Sequence, residues 1–428
     1  MVSAVLLLLY LLMVSAMTLQ SVFNLRMQFF IWGDPERDGF NRSPTEFAEP
    51  RLSFTVLLPA RHEEAVIADT IEKVSHAHYP PELLQILVIC ESGDTGTIEC
   101  VRQKLAEPGT EQVKLIIFDD GPINKPHGLN VGLRAATNDI VTIFDAEDEP
   151  HEDIFQIINT TFINEDVEVV QGGVHLMNYD THWFSALNVL EYYFWFKSSL
   201  HYFGWSGMVP LGGNTVFVKR SMLQRLGGWD EDCLTEDADI GIRLSVAGAR
   251  IRVLCDDEHV TREETPDSVT SLVRQRTRWS QGFFQVFRKG DWRHLPTASQ
   301  RVLASYVLLV PFIQGIFALM LPISLMMMIL VKLPVFIAMF TFLPLYIFGL
   351  QAIIDLVALV EFIHAQKREF SLPVLLLTVI GFFPYQWLLA FAAVRAIVRE
   401  IQHHTNWEKT AHAGAHRRDI SGRMQEVA

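Results

Sequence analysis

In the run DAED at 145–148, two carboxylates, Asp145 and Glu147, follow the apolar stretch IVTIF. In an extended chain, side chains two apart share a side, so this pair can converge on one point. Adjacent carboxylates repel unless a cation lies between them. A hard divalent ion bridging a diphosphate is the natural occupant, and a solvated acidic turn is the plain alternative. Lys125 and Asn130 stand in NKPHGLN, where a lysine meets a phosphate or one of those acids, or simply faces solvent. Arg61, His62, Glu63 and Glu64 follow another apolar run, and Glu91 and Asp94 follow a third. They suit a base and a ribose. Helix capping by Glu63 and Glu64 and a turn role for Asp94 explain them equally. In Thr235-Glu236-Asp237, ahead of ADIGIRLSVAG, Asp237 either answers a helix dipole or removes a proton from a hydroxyl. In QRTRW, Trp279 offers a face to a sugar ring and Arg278 a planar fork to phosphate oxygens. The plain alternative there is a basic interfacial helix with an anchoring tryptophan.

The pattern around these residues alternates between buried-strand and amphipathic-helix character. Strands are expected at 53–60, 83–92, 113–120 and 139–148, and helices at 63–77, 97–107 and 129–138. Strand–helix alternation implies a mostly parallel sheet covered on both faces, with ligands at the carboxyl ends of the strands. Arg61 to Glu64, Glu91, Asp94, Asp145 and Glu147 fall at the ends of such strands.

Half of the 428 residues are apolar, and the excess is concentrated near 4–22 and beyond 302. Residues 4–18 lack the basic flank of a secretory signal, and Arg26, Arg37, Arg42 and Arg51 follow them. That pattern predicts a retained anchor with the middle of the chain cytoplasmic. The stretches 302–331, 334–354 and 371–394 carry no charge, and each is as long as the roughly 20 residues a membrane helix needs. The resulting division is an anchor at 1–30, a soluble domain at 45–300, an apolar bundle at 302–398 and a basic tail at 399–428. Three crossings after a cytoplasmic domain place that tail outside, yet Arg395, Arg399, Lys409, Arg417, Arg418 and Arg423 argue for inside. Either one apolar segment is re-entrant or interfacial, or 302–331 folds back at Pro311 and Pro322; a cytoplasmic tail is favoured. The net charge of -14, without a basic stripe, speaks against nucleic acid. The four cysteines form no C-x-x-C pair and are expected to be free thiols.

In sequence order, K-x-x-x-L-N at 125–130, the acid pair 145–147, T-E-D at 235–237 and Q-x-x-R-W at 275–279 resemble the family 2 membrane glycosyltransferases, the synthases of cellulose, chitin and hyaluronan. The resemblance runs from about Phe54 to Trp279. It implies an α/β, GT-A-like nucleotide-sugar-binding domain flanked by transmembrane helices in the plasma (inner) membrane. It places Arg61, Glu63 and Glu91 at the nucleotide and Lys125 at the donor diphosphate. Asp145 and Glu147 would hold a divalent metal (Mg or Mn), and Asp145 would also touch the donor. Asp237 becomes the base, with Glu236 beside it in the catalytic pair. Gln275, Arg278 and Trp279 become the gate to the acceptor. Two departures bear on donor identity: Glu147 replaces an aspartate, and Cys90-Glu91 replaces a pair of aspartates.

Those assignments imply an inverting transfer from a UDP-sugar to a growing saccharide, with processive extension and passage across the bilayer. Transfer of a single sugar to a lipid-linked acceptor is the alternative. Phe382, Phe383, Tyr385 and Trp387 suit a sugar-lined path or interfacial packing alike. Whether an accessory subunit is needed is left open.

Overall fold

The computed structural model describes residues 2–330, 334–404, 414 and 416–417. Nine strands are present among them: β1 (Phe54–Ala60), β2 (Leu84–Glu91), β3 (Val113–Phe118), β4 (Ile140–Ile143), β5 (Val169–Gly172), β6 (Val174–Leu176), β7 (Val216–Lys219), β8 (Ile251–Leu254) and β9 (Thr261–Glu263). Seven form one sheet in the order β3-β2-β1-β4-β7-β5-β8, and β6 pairs with β9 in a second, small sheet. Within the large sheet β7 alone runs against its neighbours, β4 and β5. The sheet is therefore mostly parallel.

The strands are apolar on both faces because both are covered. Alternate residues of β1 and β2 enter two separate cores. Val56, Leu58, Ile86 and Val88 pack on one side, and Leu57, Leu87 and Ile89 on the other. Burial of this kind contributes ~25 cal/mol per Å2 of apolar surface.

Three boundaries differ from the sequence expectation, and each shift matters at the site. The first helix of the domain begins at Ile67, not 63, because His62 adopts φ 55° and turns the chain after β1. Lys125 is the first residue of the helix Lys125–Ala135 rather than part of a loop before it, with Asn124 as its cap accepting from the His127 amide. β4 stops at Ile143, so the acid run 145–148 is a turn, not strand.

Among the described residues four helices are long and apolar enough to cross a membrane: Leu7–Trp32, Ala298–Met327, Val335–Ala365 and Leu372–Ile401. Ala298–Leu330 is one helix with Pro311 and Pro322 inside it, so the hairpin reading of this stretch is overturned. Proline is tolerated in apolar helices whose neighbours and local adjustments satisfy the freed carbonyls. The first three run away from the sheet domain side by side. Tyr10 meets Ser324 at 3.0 Å at one level, and Tyr306 donates to Asn24 at 2.6 Å nearer the domain.

The fourth behaves differently. Just before it, the Glu369 carbonyl accepts from Tyr179 of the domain at 3.1 Å. At its far end Glu400 pairs with Arg288 at 2.8 Å and accepts from Gln281 at 3.1 Å. Thirty residues span about 45 Å, yet both ends touch the sheet domain, so Leu372–Ile401 lies along it.

Candidate active site

One cavity opens at the carboxyl ends of β1, β2 and β4. Arg61, Glu63, Glu91, Lys125, Asp145, Glu147, Glu236, Asp237, Gln275, Arg278 and Trp279 all line it. Arg61 is exposed one residue beyond β1, and Glu91 closes β2, where it accepts from the Gly93 amide at 2.7 Å. Asp94 is turned away. It caps the helix Thr95–Leu105 and accepts from the His62 amide at 2.7 Å. Burial pushes the Asp94 carboxyl up, but these hydrogen bonds outweigh it and hold it below its usual value. The turn role for Asp94 is therefore the observed one, and its work is to fix the bend that presents Arg61 and Glu63.

The acid turn is more crowded than two residues suggest. Asp148 is fully buried, accepts from the Asp145 amide at 2.7 Å and from Asn214 at 2.9 and 3.0 Å. Burial and the neighbouring Asp145, Glu263 and Glu147 carboxylates raise its pKa well above the ordinary value. Three carboxylates besides Asp148 thus act on this turn, and Asp145, Glu147 and Glu263 all line the cavity. A divalent cation with oxygen ligands relieves that repulsion. The donor set fits magnesium or manganese in charge and in hardness.

Lys125 joins this cluster to Glu236, the neighbour of Asp237. Its Nζ lies 2.5 Å from Asp145 and 3.7 Å from Glu236. Burial opposes its charge, but the two acids more than offset that and its pKa is raised. Glu236, likewise buried, is pushed up to about 7 despite Lys125, and burial also raises Asp237. Asp237 is the second residue of the helix Glu236–Val246 and is only part-buried, so it remains accessible from the cavity. Gly213 makes room for it. Its φ is +85°, and a Cβ there would stand 3.0 Å from Asp237 Oδ2.

The opposite wall is the helix Val269–Lys289. A Cβ at Gly282 would meet the Thr235 amide nitrogen at 2.7 Å, so glycine lets this helix press against the turn that carries Asp237. Trp279 faces the cavity beside Tyr192, ring centroids 5.9 Å apart. The Arg276 guanidinium lies 4.3 Å over the Trp279 ring and pairs with Glu191 at 2.5 Å. Tyr385, from Leu372–Ile401, donates to the same Glu191 oxygen.

Residues 50–282, more than half of the chain, match the family model described as "Glycosyltransferase like family 2". The chain belongs to that family. It is 26% identical over 237 residues to the probable glycosyltransferase YdaM of Bacillus subtilis, an alignment covering 54% of this chain and 55% of that one. It is 28% identical over 273 residues to the beta-monoglucosyldiacylglycerol synthase of a Nostoc species, covering 60% and 57%. It is 24% identical over 285 residues to the poly-beta-1,6-N-acetyl-D-glucosamine synthase of Staphylococcus epidermidis, covering 66% and 65%. The alignments thus span little more than half the length of the first of these relatives. Among solved structures, the mannosyltransferase PcManGT from Pyrobaculum calidifontis, in complex with GDP-Man and Mn2+, superposes with a TM-score of 0.57. It is 19% identical and the match covers 92% of this chain and 99% of that one, so it supports the GT-A-like fold.

Other residues of this family 2 chain take up places that the sequence reading did not give them. Asn130 points away from the cavity, donating to the Trp229 carbonyl and to Glu231 at 2.9 and 2.8 Å. It latches the helix of Lys125 to the loop before Asp237. Neither Glu63 nor Glu64 caps a helix through its side chain. Tyr192, Asn214 and Glu263 line the cavity and were not singled out. The Gly212-Gly213-Asn214 triplet was a usable signal for one of them. The four aromatics at 382–387 do not form one path. Phe382 and Tyr385 are buried, while Phe383 and Trp387 are half exposed, Phe383 beside Phe348 and Trp387 donating to the Ala318 carbonyl at 3.3 Å. The reason is helical spacing: neighbours about 100° apart cannot share a face. All four cysteines are free.

Proposed function

We propose that this transferase moves a sugar, with inversion, from a UDP-sugar to an acceptor presented at the bilayer surface. The convergence of Lys125, the acid turn, Asp237 and Trp279 on one cavity is the observation that supports this reading. Lys125 and Arg278 hold the donor diphosphate, Glu91, Arg61 and Glu63 the nucleoside, and Gln275 and Trp279 the acceptor. Asp237 takes the proton from the acceptor hydroxyl, and its raised pKa suits it to that transfer. Asp145 and Glu147 hold a divalent cation, which when bound neutralises charge on the departing diphosphate.

The packing of the long apolar helices supports one membrane arrangement. On this reading three helices cross, and Leu372–Ile401 lies between the domain and the helix Ala298–Leu330, where Trp387 meets Ala318, with Leu376, Ile380 and Phe391 exposed. Three crossings put the N-terminus opposite the catalytic domain. They leave the chain after Ile401 on the catalytic side, as the basic residues there require. With Arg26, Arg37 and Arg42 also on that side, we place the catalytic domain in the cytoplasm at the plasma (inner) membrane. A tag at each end of the chain tests the count: protease should reach the two from opposite sides of sealed vesicles. Exposure of both on one side would restore the four-crossing arrangement.

The surface-lying helix carries Tyr385 directly to the wall that holds Trp279. This favours an acceptor delivered from the membrane plane, a lipid-linked one receiving a single sugar. A growing saccharide is the second reading, favoured by the Tyr192–Trp279 platform beside the base. The deciding experiment measures UDP release from a panel of nucleotide sugars with Mg2+ or Mn2+ in nanodiscs, then sizes the product. One glycolipid supports the first reading and a ladder the second. Absence of release from every donor by folded protein would sink both.

A further inference from the structure

The acid turn is gripped from behind by a residue about 270 positions later in the chain. Arg417 Nη2 donates to the carbonyls of Glu147 and Asp148 at 2.8 and 2.9 Å and to Thr70 Oγ1 at 2.6 Å. Thr70 in turn donates to the Ala146 carbonyl. Three consecutive carbonyls of the turn are thereby drawn to one side. Arg417 Nη1 continues the grip, donating to the Val66 carbonyl at 3.0 Å and lying 3.5 Å from Asp69. The guanidinium is largely buried, its side chain 11% exposed. His416 beside it is also buried, 4.0 Å from Glu264, and Gly414 rests on Val66. The described residues of the tail thus lie along the rear of the donor site.

A carbonyl row facing one way fixes where the intervening side chains point. A planar guanidinium is suited to holding such a row, because its donors are rigid and always charged. Its charge also lies behind a turn where Asp145, Glu147, Asp148 and Glu263 crowd together.

We propose that Arg417 is a positioning residue that locks the acid turn into the geometry needed to hold the donor's divalent cation. The C-terminal tail is on this account part of the donor site rather than an appendage. The inference rests on the transferase reading above and requires the tail to lie on the catalytic side.

The test uses the full-length protein in nanodiscs and three variants, Arg417→Ala, Arg417→Lys and Thr70→Val. Direct Mn2+ binding is read by electron paramagnetic resonance with UDP present, and the Mn2+ dependence of turnover is read separately. Loss of an outer partner of a metal site typically costs about 10–100-fold in metal affinity. Arg417→Ala should weaken Mn2+ binding by about that factor, with the acceptor KM unchanged. Arg417→Lys should recover only part of it, since an ammonium cannot span the carbonyl row. Thr70→Val should shift it in the same direction by less, and it keeps the proposal open to refutation if Arg417→Ala does not fold. Unchanged Mn2+ binding in folded Arg417→Ala, or in Thr70→Val and Arg417→Lys together, overturns the proposal. If the wild-type protein binds no Mn2+, the metal assignment falls first and this inference with it; normal wild-type binding with unaltered variants removes only the role of Arg417.

Discussion

On the donor wall of the cavity, Arg61, Glu91 and Asp145 each stand at or within two residues of the end of a strand, in adjoining β1, β2 and β4. On the acceptor wall, Gln275, Arg278 and Trp279 ride on a helix that no ladder holds. Backbone pairing fixes the donor groups in register: Ala60 lies opposite Cys90 and Leu57 opposite Ile143. The acceptor groups depend on side chains, through Arg276, Glu191 and Tyr385. A ladder is difficult to shift by one substitution. A helix held by a charged network can be displaced when one partner is lost, because breaking a buried pair strands the other charge. Tuning of specificity is therefore expected on the acceptor wall, and constancy on the donor wall.

Asp237, the proposed base, stands between the two walls and gives the largest expected effect. Asp237→Asn keeps the size of the side chain and removes its basicity. Turnover should fall by about 10²–10⁴-fold, while UDP binding, measured calorimetrically, stays within about twofold. A parallel loss of UDP binding would mean that Asp237 builds the donor wall and is not the base.

Trp279→Ala should separate the walls more sharply. It removes the aromatic face but no donor contact proposed here, so the acceptor KM should rise about tenfold, or ~1.4 kcal/mol, with slow donor hydrolysis retained. Equal loss of hydrolysis and transfer would show that the helix Val269–Lys289 also shapes the donor side. Tyr385→Phe should act in the same sense by a smaller factor, ~3-fold, since it touches Trp279 only through Glu191 and Arg276. An unchanged acceptor KM there would remove the membrane helix from the acceptor site.

How much of this was readable in the chain follows the same division. The strand-end acids were legible because short continuous apolar runs alternating with helices mark strands buried on both faces, and the polar residues that end them mark the ligand side. Lys125 was legible in position but not in its place on a helix, since Pro126 after it reads as well as a turn. The acceptor wall was visible only through the Q-x-x-R-W resemblance: nothing local in QRTRW says that Arg276 turns to Glu191 while Arg278 turns to the cavity. The contacts of Asp148 with Asn214, and of Arg417 with the acid turn, join residues 66 and about 270 positions apart. Tertiary packing creates such contacts and local spacing carries no trace of them. The surface-lying disposition proposed for Leu372–Ile401 was legible only as a charge conflict, because apolar length alone does not distinguish crossing a bilayer from resting on it.

The comparison is sharpened last, and with the smallest effect, by pH. Glu236 is buried behind the donor wall, and its carboxyl is pushed up from its ordinary value to about 7. In the folded protein it holds a proton that the unfolded chain has already released. Between its unfolded value near pH 4.5 and its folded value near 7, the unfolded state therefore binds fewer protons. Stability falls as pH rises through that window and levels off above it. Burial raises Asp237 in the same direction and adds to the slope. Measured without divalent metal, the melting temperature in detergent should decline from pH 5 to pH 7.5 by several degrees. The slope should flatten in Glu236→Gln, which cannot titrate, whereas Trp279→Ala should leave it unchanged. Identical slopes in wild type and Glu236→Gln would mean that Lys125, 3.7 Å away, keeps Glu236 ionised in the folded state. The donor wall would then hold one more permanent negative charge for its cation to balance.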